Sequence, residues 1–246
     1  MARLSRLFRS RSKAAIQAKR DKFVDDLHDV YNELLFTTDP YIDPKSYETF
    51  KITCHHLYLY HGRESREQAN FERYFSPMSV NQLQSYPIDK DDENTVEYLE
   101  LEQTLWKKHK ILGDKPMDAA LEMCHIGAYR LDTKPHVMFS LVHEYASDDN
   151  KLLRGEVLAI LATMLTRLTS NEYQDHNVIP VLVLSFMGDK QARLLQAYFG
   201  DQGLVIYKSR LLSFQVLEDA EKSIEFLLQF MAGKLVGSTA VTGSFF

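Results

Sequence analysis

Between Ala14 and Leu35 the apolar residues Ile16, Phe23, Val24, Leu27, Val30, Tyr31, Leu34 and Leu35 recur at three- and four-residue steps. That spacing paints one stripe on a helix. Thr37–Pro40 ends it. Asp43-Pro44 has the form of a helix start, and Tyr47, Phe50, Cys54 and Leu57 then fall on one side of an expected second helix. Gly62 precedes a polar helical stretch, Glu64–Phe75. Residues 76–95 read as a loop, and helical spacing returns over Val96–Lys110 and Met117–Ala128.

The character changes after that point. Pro135–Tyr145 reads as a strand, followed by a polar turn over Ala146–Asn150. Lys151–Leu168 carries a helical stripe of Leu153, Val157, Ile160, Leu161, Met164, Leu165 and Leu168. Three apolar runs follow, Val178–Met187, Ala192–Phe199 and Leu204–Ser209, with short connections that hold Gly188, Gly200 and Gly203. Connections so short predict neighbouring antiparallel strands. A last helix, Leu217–Ala232, is expected to bury Leu217, Ala220, Ile224, Leu227, Leu228 and Met231, with Gly233 at its end. The remaining tail is expected to be either flexible or an edge strand.

These elements predict an α+β protein. A helical region, residues 21–114, packs on a C-terminal antiparallel sheet of three to four strands flanked by amphipathic helices, residues 115–233, with 234–246 as the tail. The chain has 246 residues and is 45% hydrophobic, enough for a substantial core.

Charge alters this picture at one end. Residues 1–20 hold Arg3, Arg6, Arg9, Arg11, Lys13, Lys19 and Arg20 and no acid. The net charge is −5, so without these seven the rest carries 22 basic against 34 acidic residues, a net −12. A body that acidic repels a phosphate backbone, and nucleic acid is not an expected partner of it. The first 20 residues themselves read either as a mitochondrial presequence or as a disordered basic extension. No apolar run is long enough to span a membrane. The two cysteines, Cys54 and Cys124, give no disulfide framework. A reducing, intracellular setting is expected, cytoplasmic or nuclear, with mitochondria as the alternative.

Familiar chemistry is sparse. The ten glycines form neither a dinucleotide fingerprint nor a P-loop, and no Gly-x-Ser-x-Gly elbow exists. Cys54 stands beside His55, and Cys124 beside His125, but sequence neighbours on a helix diverge by about 100° and make no catalytic pair. The histidines and cysteines lack a Cys-x-x-Cys or His-Glu-x-x-His anchor for zinc. Asp89, Asp91, Glu93, Glu97 and Glu100 occupy positions 1, 3, 5, 9 and 12 of an EF-hand-like spacing. Asn94 replaces the glycine and Pro87 stands where the incoming helix belongs, so an acidic helix start is the expected reading. No cofactor is predicted.

The order of helix 151–168, three strands, helix 217–232 and a final strand resembles the core of restriction-endonuclease-like nucleases. That resemblance implies an Mg²⁺ site made by a helix acid, a strand Asp and an acid-x-Lys pair. Glu156 matches the helix acid and Lys208 the lysine, but Ile206 stands where the pair needs its acid, and only Asp189 and Asp201, both in turns, stand in for the Asp. The expectation is therefore that Glu156 sits on the solvated side of its helix and Lys208 ends a half-exposed strand. Leu153–Glu156, Ile179–Gly188, Ala192–Phe199 and Leu204–Ile206 also resemble a family of uncharacterised proteins of filamentous fungi, over about residues 135–215. That resemblance implies no activity. The functional expectation is a non-catalytic intracellular module for a protein partner or small ligand, with a metal-dependent or decayed nuclease as the alternative.

Overall fold

The computed structural model describes the backbone of residues 2–57, 73–85, 127–129 and 134–240, and the side chains of 17–57, 73–85 and 134–240. Helix α1 spans Ala2–Leu35. Strand β1, Tyr41–Ile42, leads into a 3₁₀ turn at Pro44–Ser46 and then strand β2, Ile52–His56. Strand β3 is Phe75–Ser76, helix α2 Val80–Gln84 and strand β4 Gly127–Tyr129. Strands β5, Val137–Val142, and β6, Leu152–Leu153, precede helix α3, Arg154–Thr169. The meander follows as β7, Val181–Met187, β8, Gln191–Gly200, and β9, Gly203–Lys208. Strand β10, Leu212–Ser213, helix α4, Leu217–Met231, and strand β11, Lys234–Leu235, close the described chain.

The α+β class holds, and the meander is antiparallel as the short connections require. The sheet around it is larger than expected and mixed. Its order is β2-β9-β8-β7-β5-β4, with β10 on β8, seven strands in all. β2 lies parallel to β9, and β5 parallel to β7. The helix expected after Pro44 is absent. Asp43 does cap through Lys45 N–H, but the helix it starts is a three-residue 3₁₀ turn. Lys51, at φ 50°, then turns the chain into β2. Cys54 is therefore a strand residue, opposite Ile206.

Alternation along the strands divides the interior into two layers. Ile52, Val137, Phe139, Val181, Val183, Leu195, Ala197, Phe199, Leu204 and Ile206 point to one face, where α1 and α3 cover them. Met138, Leu182, Leu184 and Leu194 point to the other, where Leu227 and Phe230 of α4 pack together with Phe75. Being buried on both faces, β7 reads as an almost unbroken apolar run. α3 is buried on nearly every side, lying between α1 and the sheet, so its composition is apolar all round. α4 corrects the expected core. Leu227 is buried, but Leu217 is 75% and Ile224 47% exposed.

Two joints hold these layers in place. Gly203, at φ +112°, begins β9 where a Cβ would lie 2.2 Å from the Lys51 carbonyl oxygen, so only glycine lets β2 start alongside it. At the other joint Arg20 of α1 is only 4% exposed. Its guanidinium donates to the carbonyls of Leu168 (Nε, 3.0 Å), Tyr173 (Nη1, 2.7 Å) and His176. A cation is thus seated on the Leu168 carbonyl in the last turn of α3, where the helix dipole favours it, and on two carbonyls of the segment that follows. Residues 2–20 are the opening turns of α1, and Arg20 belongs to the folded body rather than to a separate extension.

Candidate functional site

One polar cluster lies inside the α1/α3 layer. Glu156 enters it in the first turn of α3, where the Leu153 N–H donates to its Oε2 at 2.9 Å. That bond is half of a capping box and fixes the carboxylate inward. Both the expectation of a solvated Glu156 and that of a half-exposed Lys208 are overturned: Glu156 is 0% and Lys208 2% exposed. The reason is position. α3 has no solvated side at its start, and Lys208 shares the inward face of β9 with Leu204 and Ile206.

What meets Glu156 is Arg193, on the inward face of β8 and also fully buried. Nε donates to Oε1 at 2.8 Å and Nη2 to Oε2 at 2.5 Å, a bidentate fork. Its remaining nitrogen, Nη1, donates to the Lys151 carbonyl at 2.8 Å and the Asp148 carbonyl at 3.4 Å. Lys208 Nζ turns to the same loop and donates to the carbonyls of Asp149 and, at 3.5 Å, Lys151. The loop is held from outside as well. Tyr47 donates to the Asn150 carbonyl, Tyr41 to that of Ala146, and the Asp149 carboxylate accepts from Leu211 N–H.

The electrostatics follow from this geometry. Burial alone would raise the Glu156 carboxyl, but the Arg193 charge and its hydrogen bonds outweigh burial, and the pKa lies below the ordinary value. Burial opposes the charge on Arg193 as well, and Glu156 reverses it, so the guanidinium is held more firmly protonated than usual. At Lys208 the Glu156 and Asp149 charges favour the ammonium but do not prevail. Burial and the neighbouring Arg193 lower its pKa. The Cys54 thiol is pushed up, mainly by burial, which makes it a poor nucleophile. His143, buried beside the pair, is driven toward the neutral form by burial despite the nearby Glu156 charge.

The structure brings Glu156 and Lys208 into one cluster and leaves the other site candidates apart. Asp189 sits in the β7–β8 turn at φ 57°. Asp201 sits in the β8–β9 turn, in an exposed ion pair with Lys19 at 3.0 Å. The two flank opposite ends of β8, about 30 Å apart along an extended strand, and do not converge on one ion. Asp89, Asp91, Glu93, Glu97 and Glu100 lie outside the described residues. Among the described residues, no three His, Cys, Asp or Glu side chains come together as a metal-ligand group. Among them, too, Glu156 is the only buried carboxylate, against the buried cations Arg20, Arg154, Arg193 and Lys208.

Arg193 is the residue that sequence reasoning missed. Its signal was present: a single charge inside Ala192-Arg-Leu-Leu-Gln-Ala-Tyr-Phe199, a run apolar enough to be buried on both sides. A buried cation needs a partner, and Glu156 is the one lone acid in an equally apolar helix. Comparison with models of known protein families, with curated proteins and with solved structures found no match. Among the described residues no helix is long and apolar enough to cross a membrane.

Proposed function

We propose that this chain is a non-catalytic binding or interaction module in which the buried charged cluster of Glu156, Arg193 and Lys208 serves architecture. The observation that carries the reading is the Glu156–Arg193 fork. A guanidinium occupies both oxygens of the only buried carboxylate among the described residues. A metal ion would need those oxygens together with a second acid, and the adjoining strand supplies Arg193 and Lys208 instead. The loop carbonyls that surround both cations close the cluster toward the 148–151 side.

One observation favours a decayed nuclease as the origin of such a module. The acid of the helix and the lysine of the third meander strand share one face, as in the restriction-endonuclease-like arrangement, with a cation placed between the helix and the strands. On this reading Arg193 has taken the role of counter-ion for Glu156. An intracellular setting and a protein or small-ligand partner remain part of the proposal.

The test is direct. The purified full chain is incubated with supercoiled plasmid, single-stranded DNA and RNA in Mg²⁺ and in Mn²⁺. The expected result is intact nucleic acid under each condition. Cleavage that disappears in both Glu156→Ala and Lys208→Ala would overturn the reading in favour of an active phosphodiesterase.

A further inference from the structure

Residues 233–240 form a strap that leaves α4 and passes the starts of β5 and β7. Its β11 pairs with β3, Lys234 opposite Ser76 and Leu235 opposite Phe75. Val236 N–H then donates to the Tyr74 carbonyl at 3.0 Å, and the Thr239 carbonyl accepts from the N–H groups of Asn177 and Val178. Gly237, at φ +75°, allows the close passage, since a Cβ there would lie 2.1 Å from the Arg73 carbonyl oxygen. Of the strap's residues only Thr239 is buried. Little apolar surface therefore holds it, and its attachment rests on polar bonds.

Two histidines supply bonds of a kind that pH can change. His136 Nε2 donates to the Val236 carbonyl at 3.2 Å, and His176 Nδ1 is bonded to the Thr239 hydroxyl at 2.7 Å. The buried His136 ring lies against the rings of Tyr74 and Phe75, with centroids 6.2 and 5.4 Å away. Its Nδ1 is buried and makes no hydrogen bond, so a second ring proton would be buried without an acceptor. Burial is the main influence against a charge on His136, and it outweighs the Val236 and Tyr74 carbonyls, while Lys134 and His176 add to it. Lys134 itself donates to the Leu235 carbonyl of the strap. Burial resists a charge on His176 as well; Asp175 favours that charge and Arg20, bonded to the His176 carbonyl, opposes it. Arg73 turns instead to the Tyr74 and Tyr198 rings, and Lys234 of the strap is exposed.

We propose that the strap is an acid-released segment: His136 and His176 clasp it in their neutral forms, and their protonation detaches it from β3 while the seven-stranded sheet stays closed. A charged imidazole is stabilised by water, and water reaches the rings when the strap lifts. Released, the rings take the free pKa of about 6.5. Clasped, His136 stays neutral down to about 4. The clasp is therefore at full strength above about pH 6.5 and weakens as the pH falls toward 4. The large sheet stands outside this balance, because among the described residues the strap's strand partner is β3, which belongs to a separate two-stranded sheet. Release leaves β3 without that partner.

The test is amide hydrogen exchange, read by NMR on the full chain at pH 7 and pH 5, with each rate corrected for the intrinsic effect of pH. Protection at Val236, Asn177 and Val178 is expected to fall by about tenfold or more at pH 5, while that at Val183 and Leu195 in the sheet holds. The double variant His136→Gln/His176→Asn keeps a polar group at each contact but cannot titrate, so its strap protection should be equal at the two pH values. Unchanged wild-type protection at the strap, or an equal loss in strap and sheet, would overturn the proposal. So would a loss at pH 5 that the double variant repeats. The wild-type comparison decides by itself should the variant not fold.

Discussion

Arg193 and Glu156 face each other across the joint between β8 and α3, both fully buried and joined by two nearly parallel hydrogen bonds. The pair ties together the two elements that the sheet and the helix layer share. The carboxylate accepts the Leu153 N–H at the start of α3 and the Arg193 fork from the sheet, so it positions the helix on the strand.

Breaking that pair from either side leaves the other charge buried and alone. Arg193→Met is expected to cost about 3–5 kcal/mol of folding stability in urea unfolding, and Glu156→Leu a comparable amount. The double variant Arg193→Met/Glu156→Leu should recover much of the loss, since no isolated charge remains. Two single losses that simply add in the double variant would show that the residues act separately.

Glu156 also sets part of the acid limit. Its folded pKa is depressed, so the stabilisation is present in full above the unfolded carboxyl value of about 4.3 and is lost as pH falls through the lower folded value. In a variant carrying Glu156→Gln the unfolding free energy should be lower at neutral pH and fall less steeply below about pH 4. An unchanged acid slope would contradict this assignment.

His136 acts over a higher pH window. It is 1% exposed, its Nε2 donates to the Val236 carbonyl at 3.2 Å, and burial lowers its pKa from 6.5 to about 4. Unfolded chain takes up the proton near 6.5, while the folded chain resists until about 4, so stability falls as pH drops across that interval. An NMR titration of the His136 ring should show its midpoint near 4. A midpoint at the free value would mean that the His136 ring is not held in its buried setting.

Arg20 adds a polar tie between α1 and the body to the apolar contacts of Phe23, Leu27, Val30 and Leu34. Arg20→Met keeps most of the stem and removes the donors to Leu168 and Tyr173, and is expected to cost about 2–3 kcal/mol. Arg20→Lys should restore only part, because one ammonium cannot replace a planar fork spread over several carbonyls. Full stability in Arg20→Met would show that the end of α3 is satisfied by water.

The elements that the sequence made legible are those in which burial alone dictates the pattern. The stripes of α1 and α3, the meander and the span of α4 followed from apolar spacing, and the structure places α3, the meander and α4 within a few residues of expectation, while α1 begins at Ala2 and not at Ala14. β2 was hidden by a conflict of local and long-range signals. Asp43-Pro44 has the chemistry of a helix start, and five residues, Ile52–His56, are too few to display alternation against it. Only pairing with β9, far along the chain, makes that segment a strand. The breadth of the sheet was hidden for the same reason, because β2 and β5 join it through parallel pairings that no short turn announces.

The cluster was legible in one half. Glu156 and Lys208 stood out as charges in apolar surroundings, but charge by itself does not distinguish a solvated residue from a paired one. Arg193 decides between them, and it needed the observation that β8 is buried on both faces. On α4 the periodicity was read one notch too generously. Leu217 and Ile224 share a rotational position with the buried stripe's margin, but the sheet covers only the Leu227 and Phe230 side.

The central claim is that Arg193, and no metal ion, is the counter-ion of Glu156. Calorimetric titration of Mn²⁺ into the wild-type chain and into Glu156→Gln tests it most directly. The account predicts that the two titrations coincide, with no heat that depends on Glu156. One Mn²⁺ bound per wild-type chain and lost in Glu156→Gln would contradict it.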